Sequence, residues 1–348
     1  MNKLKFYAPL LCLLFIFFSS FFSLFSQDTL QYGIVFYNVE NLFHPDKDSI
    51  KDDGAYTPEG FNHWNKKKYY KKIANTAKVF LAIHDDNPPA IIGMAEIENK
   101  QVLNSLCYYS PLKNYHYQYV HYNSPDRRGV GVALLYRPDL VEIVYSSPIS
   151  IVFPFEPKSQ NRDVLFVVAK LSSEDTLYLF VNHWTSRFGG LAATIPKRNY
   201  YASVIKAKTD SLFLAVHHPN MIILGDLNDY PTDESVNDIL QARKMEDDKE
   251  KQQLINLMLN FDPLKNQGSH KFEDFWGCLD QIIVSSNLLD NQNKIQIKDL
   301  KASIFNAPFL LEPDSKYGGN KPFRTFLGPR YKGGFSDHLP VSVNLIAF

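Results

Sequence analysis

Short apolar runs that stop abruptly at polar or acidic residues recur along the chain, most sharply at residues 220–231, Asn-Met-Ile-Ile-Leu-Gly-Asp-Leu-Asn-Asp-Tyr-Pro. Residues 221–224 predict a strand buried on both faces, ending at Gly225, a residue that tolerates unusual backbone angles. Asp226 and Asn228 follow at the two-residue spacing that places side chains on one side of an extended chain. A carboxylate and a carboxamide would then leave a rigid tip together, facing a metal ion, a water or a phosphate oxygen. A plain Asx-type turn accounts for the same letters.

The pattern repeats elsewhere. Residues 32–38 predict a first core strand that delivers Asn38, Glu40 and Asn41. After a polar loop over 44–64, Tyr69, Ile73, Ala77, Phe80 and Leu81 recur at helical spacing and predict a helix over 65–83. Lys66, Lys67, Lys68, Lys71 and Lys72 on its first turns predict a solvated face. Residues 89–94 predict another buried strand, followed by Glu96. Residues 115–122, 130–136 and 141–145 read as a meander, and 153–155 as an aromatic tip folded onto the core. Residues 164–171 and 177–181 predict paired strands, the second delivering Asn182, His183, Trp184 and Arg187. Pro196 predicts the opening of a helix over 197–214, because proline suits a first helical turn. A helix is expected near 233–242, and an exposed charged connection over 243–251. Residues 279–285 predict a strand with Asp280 near its start, and 290–332 a long loop. Ser336, Asp337 and His338 then precede a final alternating strand over 341–346.

With 348 residues, 45% of them hydrophobic, the chain can bury a large core. Its 37 basic residues balance 37 acidic ones, so a surface attracting polyanions would have to be local. Lys3 and Lys5 precede an apolar run over 6–25 and then Ser26, the layout of a secretory signal cleaved after Ser26. The run is also long enough for a membrane anchor. The expected organisation is an export signal over 1–26 and a single domain over 27–348, in a periplasmic or extracellular location. Cys107 and Cys278 remain after cleavage, either paired or as two buried thiols.

Asn38 with Glu40, Glu96, His183, Asp226 with Asn228, Asp280, and Asp337 with His338 all stand at predicted strand ends. Each alone has an ordinary explanation as a turn, a cap or a satisfied core residue, but all of those would have to hold at once. Glu40, Glu96 and Asp337 are hard oxygen ligands suited to Mg²⁺ or Mn²⁺. No cysteine or three-histidine cluster argues for zinc. A carboxylate beside an imidazole raises its pKa and fixes its tautomer, and Asp280 with His338 would be such a pair. A base, an acid and a divalent cation are what hydrolysis of a phosphoester requires.

The ordered anchors Asn38-Val-Glu40-Asn41, Gly-Met-Ala-Glu96, Asn182-His183-Trp184, Gly225-Asp226-Leu227-Asn228, Leu279-Asp280-Gln281-Ile282 and Ser336-Asp337-His338 resemble the endonuclease/exonuclease/phosphatase superfamily. The resemblance covers about 32–348 and implies an α/β fold, a four-layer α/β sandwich. Two packed mixed, mostly antiparallel sheets would lie between flanking helices, with the site at one end of the strands. It implies Glu96 as principal metal ligand with Glu40 and Asp337 beside it, and Asn38, Asn182 and Arg187 contacting the substrate. Asp226 and Asn228 would position the attacking water, His338 held by Asp280 would act as base or phosphate ligand, and His183 would serve the leaving group. Where related nucleases carry a glutamate that orients this second histidine, Val130 stands here, leaving Asp126 as a candidate partner for His183. The expected activity is Mg²⁺- or Mn²⁺-dependent cleavage of DNA or RNA by a monomer. The alternatives are a secreted phosphatase or sphingomyelinase-like phosphodiesterase on a lipid or small phosphoester, and a binding protein without turnover.

Overall fold

The structure is a computed structural model and describes residues 29–48, 51–84, 87–244 and 252–348. The expected export signal, and all but the start of the expected charged connection, lie outside the described residues. No described helix is long and apolar enough to cross a membrane.

Two seven-stranded sheets form the body. The strands β1 (Leu30–Leu42), β2 (Ile91–Ile97), β3 (Gln118–His121) and β4 (Gly131–Tyr136) begin the first sheet. The second contains β5 (Val141–Ile149), β6 (Val164–Leu171), β7 (Thr176–His183), β8 (Asn220–Asp226), β9 (Ala242–Arg243), β10 (Leu254–Asn256) and β11 (Asp280–Ser285). Then β12 (Ile295–Ile297), β13 (Ser303–Ile304) and β14 (Val341–Ala347) return to complete the first. The order is β12-β14-β1-β2-β4-β3 in one sheet, with β13 also on β14, and β5-β6-β7-β8-β11-β10-β9 in the other. Only β1/β2, β7/β8 and the short β9/β10 pairs are parallel among these strands.

The strand faces explain the layers. Phe36, Ala95, Leu134 and Val343 of the first sheet meet Leu165, Val181, Leu224 and Ile282 of the second in a central core. Outside the first sheet, α1 (Lys66–Ala82) and α2 (Lys100–Tyr108) pack Ile73, Phe80, Leu103 and Leu106 against Val35, Met94 and Leu135. Outside the second, α3 (Leu191–Ala215) sets Tyr201 and Ile205 on Phe166, Phe180 and Ile223. β8 is therefore apolar throughout because Ile222 and Leu224 face one layer while Met221 and Ile223 face another. This is the expected four-layer α/β sandwich.

Several local expectations change. Gly225 is required by crowding rather than by backbone angle, since a Cβ there would lie 2.5 Å from the Asn182 carbonyl oxygen. α2 was not foreseen; Asn99 starts it, its side chain accepting from the Val102 amide at 3.1 Å. α3 begins at Leu191, before Pro196, which lies inside the helix. Thr194 Oγ1 donates to the carbonyls of Gly190 and Leu191 at 3.0 Å each, the back-bonding of a helical threonine onto the preceding turn. The helix expected near 233–242 is a single wide turn, Ser235–Ile239. The expected loop over 290–332 contains β12, β13 and two small hairpins, each strand too short to show a period. Lys72 does not belong to a solvated face: it is fully buried and donates to Thr325 Oγ1 and the Phe335 carbonyl, both at 2.5 Å. Of the tip expected over 153–155, Phe153 folds onto the core edge-on to Tyr201, whereas Phe155, stacked on Phe153, stays exposed. Cys107 and Cys278 are free and buried in different layers.

Candidate active site

Topology brings the polar strand ends together. The parallel pair β1/β2 ends beside the parallel pair β7/β8, while antiparallel β11 and β14 begin at that same edge. In register, His183 faces Asp226, and Asp226 faces Asp280. Local backbone departures then turn side chains inward. Glu40, Asn41, Glu96 and Asn228 all adopt left-handed φ values, 54°, 52°, 65° and 53°. Such positions cost on the order of 1–3 kcal/mol each for residues other than glycine, and are kept where the surroundings over-determine them. The bulges in β1 and β2 fall at these residues. Asn228 is not on an extended chain: its amide donates to Asp226 Oδ1 at 3.0 Å, so the Asx turn is real and also builds the site.

Asp226 lies at the centre. Its Oδ2 accepts from Asn38 Nδ2 at 3.0 Å and lies 3.6 Å from His183 Nε2 and 3.8 Å from His338 Nε2. His338 Nδ1 pairs with Asp280 Oδ2 at 2.7 Å. Glu96 Oε1 sits 3.9 Å from His183 Nε2, while Oε2 accepts from the Asn41 amide at 2.6 Å. Burial raises the Asp226 carboxyl to about 7, with the Asp280 charge adding to the rise and His338 opposing it. The two imidazoles are driven apart. Burial alone would lower His338, but Asp280 and Asp226 together hold it well above the usual histidine value. His183 is pushed well below that value by burial, then by the charges of Arg162 and Arg128. The two rings are thus held on opposite sides of the usual histidine value, the separation an acid/base pair needs.

The profile of the Endonuclease/Exonuclease/phosphatase family matches residues 33–347. The chain belongs to that family. Endonuclease/exonuclease/phosphatase proteins are metal-dependent phosphoesterases, nucleases and phosphatases among them, and this chain is an enzyme of that class. Among solved structures, the chain is similar to a mannosyl-6-phosphatase of Bacteroides thetaiotaomicron, with TM-score 0.55 and 18% identity over 90% of this chain and 99% of that one. It is also similar to the human Nocturnin catalytic domain with a bound sulfate anion, at TM-score 0.54 and 15% identity over 91% and 96%. A third is D. rerio TDP2 complexed with single-strand DNA product, at TM-score 0.52 and 14% identity over 90% and 98%. At these identities the likeness is one of fold. A search of curated protein sequences finds no match.

The family's divalent cation fits only part of the expected ligand set. Glu96 suits it: Oε1 has no hydrogen-bond donor, and the side chain is 14% exposed at the rim. Glu96 would hold the ion, which would neutralise charge on the phosphoryl oxygens. Magnesium keeps several waters, so one protein carboxylate and its neighbours suffice. Glu40 and Asp337 do not join Glu96. Glu40 Oε1 accepts from Arg324 Nε at 3.0 Å, and Oε2 from the Thr325 amide at 2.7 Å, with Lys72 Nζ 3.9 Å away. Asp337 Oδ2 accepts from Arg324 Nη2 at 2.9 Å. Burial lifts the Glu40 carboxyl to about 7 against Lys72 and Arg324, whereas Arg324 and His338 overcome burial and hold Asp337 down at about 2. Among the described residues, the triads close enough to chelate an ion are His270 with Asp337 and His338, and Asp226 with Asp280 and His338.

Other expectations also move. Asn182 is fully buried; it donates to the Phe180 and Leu224 carbonyls and accepts from Trp184 Nε1, so it ties β7 to β8 and presents no exposed surface. Arg187 is committed to Asp233, Asp229 and the Asn228 carbonyl and lies over the Tyr230 ring, so it braces the Asn228 turn. Asn38 supports Asp226, its own Oδ1 accepting from the Glu40 amide. Asp126 does not pair with His183; it holds Arg162, which donates to the His183 carbonyl at 2.9 Å. His183 Nδ1 is buried without a hydrogen-bond partner. Arg128, Arg162, His270 and Arg324 were not foreseen at the site. Arg128 stands in the sequence Arg127-Arg128-Gly129 just before β4, but nothing local marks Arg324.

Proposed function

We propose that the protein is an exported phosphodiesterase that cleaves nucleic acid, with residues 1–26 as its export signal and 27–348 as the working domain. The observation that supports phosphoester hydrolysis is the convergence of Glu96, His183, Asp226 and the Asp280–His338 pair around one small volume. Asp226, between two imidazoles, is placed to take a proton from water. His338 can donate Nε2–H to a phosphoryl oxygen, its far nitrogen held by Asp280. His183 faces Glu96 and Asp226 and is placed to serve the leaving oxygen. Mg²⁺ or Mn²⁺ at Glu96 supplies the remaining positive charge. Half-exposed Arg128 and exposed Arg127 give the local basic surface that a polyanion requires. Purified protein should degrade plasmid DNA or RNA with Mg²⁺ or Mn²⁺ and stop on EDTA. Intact nucleic acid, with phosphate released from a sugar or lipid ester, would replace this reading. That second reading is favoured by the two guanidiniums at Glu40 and Asn41, which suit a terminal phosphate.

A further inference from the structure

We propose that Arg324 and Arg128 form a two-guanidinium fork that binds the non-bridging oxygens of the substrate's phosphoryl group. This rests on the phosphoesterase reading and names two of its substrate-binding residues.

The fork grows from two adjacent residues of β1. Glu40 and Asn41 are both left-handed, and each holds one arginine. Glu40 Oε1 accepts from Arg324 Nε at 3.0 Å, and Asn41 Oδ1 accepts from Arg128 Nη1 at 3.3 Å. Both arginines stand one side chain from the catalytic cluster. The amide of Asn41 is bound to Glu96 at 2.6 Å, which places Arg128 on the Glu96 side. Arg324 is bound at 2.9 Å to Asp337, whose carboxylate lies within 4.8 Å of a ring nitrogen of His338, which places Arg324 on the His338 side.

Neither guanidinium is used up by these contacts. The Arg324 side chain is 38% exposed and that of Arg128 42% exposed. A guanidinium has five N–H donors, and the described contacts occupy only a minority on each arginine. Arg324 is also more than Glu40 needs for neutrality, since Lys72 and the Thr325 amide already attend that carboxylate. Two carboxylates therefore orient Arg324 by its inner edge and leave the outer edge facing solvent beside His338. A planar fork held this way matches phosphate oxygens in pairs, which an ammonium cannot do. Glu40 and Asp337, expected to bind metal, serve instead as holders of this cation.

The test uses inorganic phosphate as probe, titrated by calorimetry into the full chain with Mn²⁺ present. Wild-type protein should bind phosphate. Arg324→Gln and Arg128→Gln should each weaken it roughly ten- to a hundredfold, the range of a charge-assisted hydrogen bond. Arg324→Lys should recover only part of the loss. In turnover assays KM should rise more than kcat falls. Lys170→Gln, at a lysine paired with Glu174 beside the end of β7 remote from His183, should bind phosphate as wild type. Melting curves and Mn²⁺ titrations identify variants that are folded and metal-competent. No phosphate binding by the wild type, or affinity unchanged within twofold in folded Arg324→Gln and Arg128→Gln, overturns the fork. Comparing losses on p-nitrophenyl phosphate and its bis ester assigns the ligand: a larger loss on the monoester marks a terminal phosphate, and equal losses mark diester oxygens. A protein inert to every ester but still binding phosphate through both arginines would sink the hydrolase reading alone.

Discussion

His338 Nδ1 lies 2.7 Å from Asp280 Oδ2 with both side chains buried, so the ring's other nitrogen is aimed at Asp226. Asp280→Asn keeps the shape and removes the charge that orients and protonates the ring. Expected is a fall in kcat of roughly 10²–10⁴-fold, the usual contribution of a positioned acid or base, with little change in KM. Steady-state kinetics on a chromogenic phosphoester check it. A variant within fivefold of wild type would remove His338 from the chemistry.

Glu96→Gln keeps an acceptor for the Asn41 amide but loses the carboxylate charge at the rim. Mn²⁺ affinity measured by calorimetry should drop at least tenfold while the melting temperature holds. Glu40→Gln should do the reverse, because its carboxylate is spent on Arg324, Thr325 and Lys72. Equal metal loss in both variants would restore Glu40 as a ligand.

Asn182→Ala should act on stability. Its amide satisfies two buried carbonyls and its oxygen satisfies the Trp184 indole, and each orphaned group costs about 1–3 kcal/mol. Urea denaturation should show a loss of that order, with substrate KM unchanged in the protein that remains folded. A stable variant with raised KM would return Asn182 to substrate binding.

His121 should give part of the acid sensitivity. It is buried on β3, with Nδ1 3.1 Å from the Val132 carbonyl, and burial lowers its pKa despite that bond. The unfolded chain therefore takes up this proton first as pH falls through about 6.5. Its contribution is full above that pH and declines below it. The stability difference between wild type and His121→Asn should shrink between pH 7 and 5. A difference independent of pH would show that the ring is not held neutral.

Burial pushes the Cys107 and Cys278 thiols up to about 12, with Asp280 adding to the shift at Cys278. Neither should react with Ellman's reagent in native protein, and both should react after unfolding in denaturant. One thiol reacting in the native state would contradict the packing described here.

The body of the sandwich was legible because its central strands are buried on both faces and therefore read as unbroken apolar runs. β8 and β1 show this best, and the polar residues at their ends stand out against them. What each polar residue touches was not legible. Glu40 looked like a metal ligand as much as Glu96 did, and only Arg324, far along the chain, separates them. Lys72 sits among lysines that do face water, and its burial depends on Thr325 and Phe335, which no local pattern connects to it. Asn182 shared a motif with His183 but points back between strands. α2 was missed because nine residues offer too little period, and the short strands within 290–332 are pinned by β14 and by their hairpins rather than by their own letters.

Glu40 joins Thr325 across 285 positions, and the carbonyl of Asn38 receives the Ser336 hydroxyl across 298. The tip of the first strand is therefore closed only when the distant segment carrying Thr325 and Ser336 docks on it. A polypeptide cut before Thr325 would keep Glu96, Asp226 and Asp280 but lose both His338 and the partners that close Glu40 and Asn38.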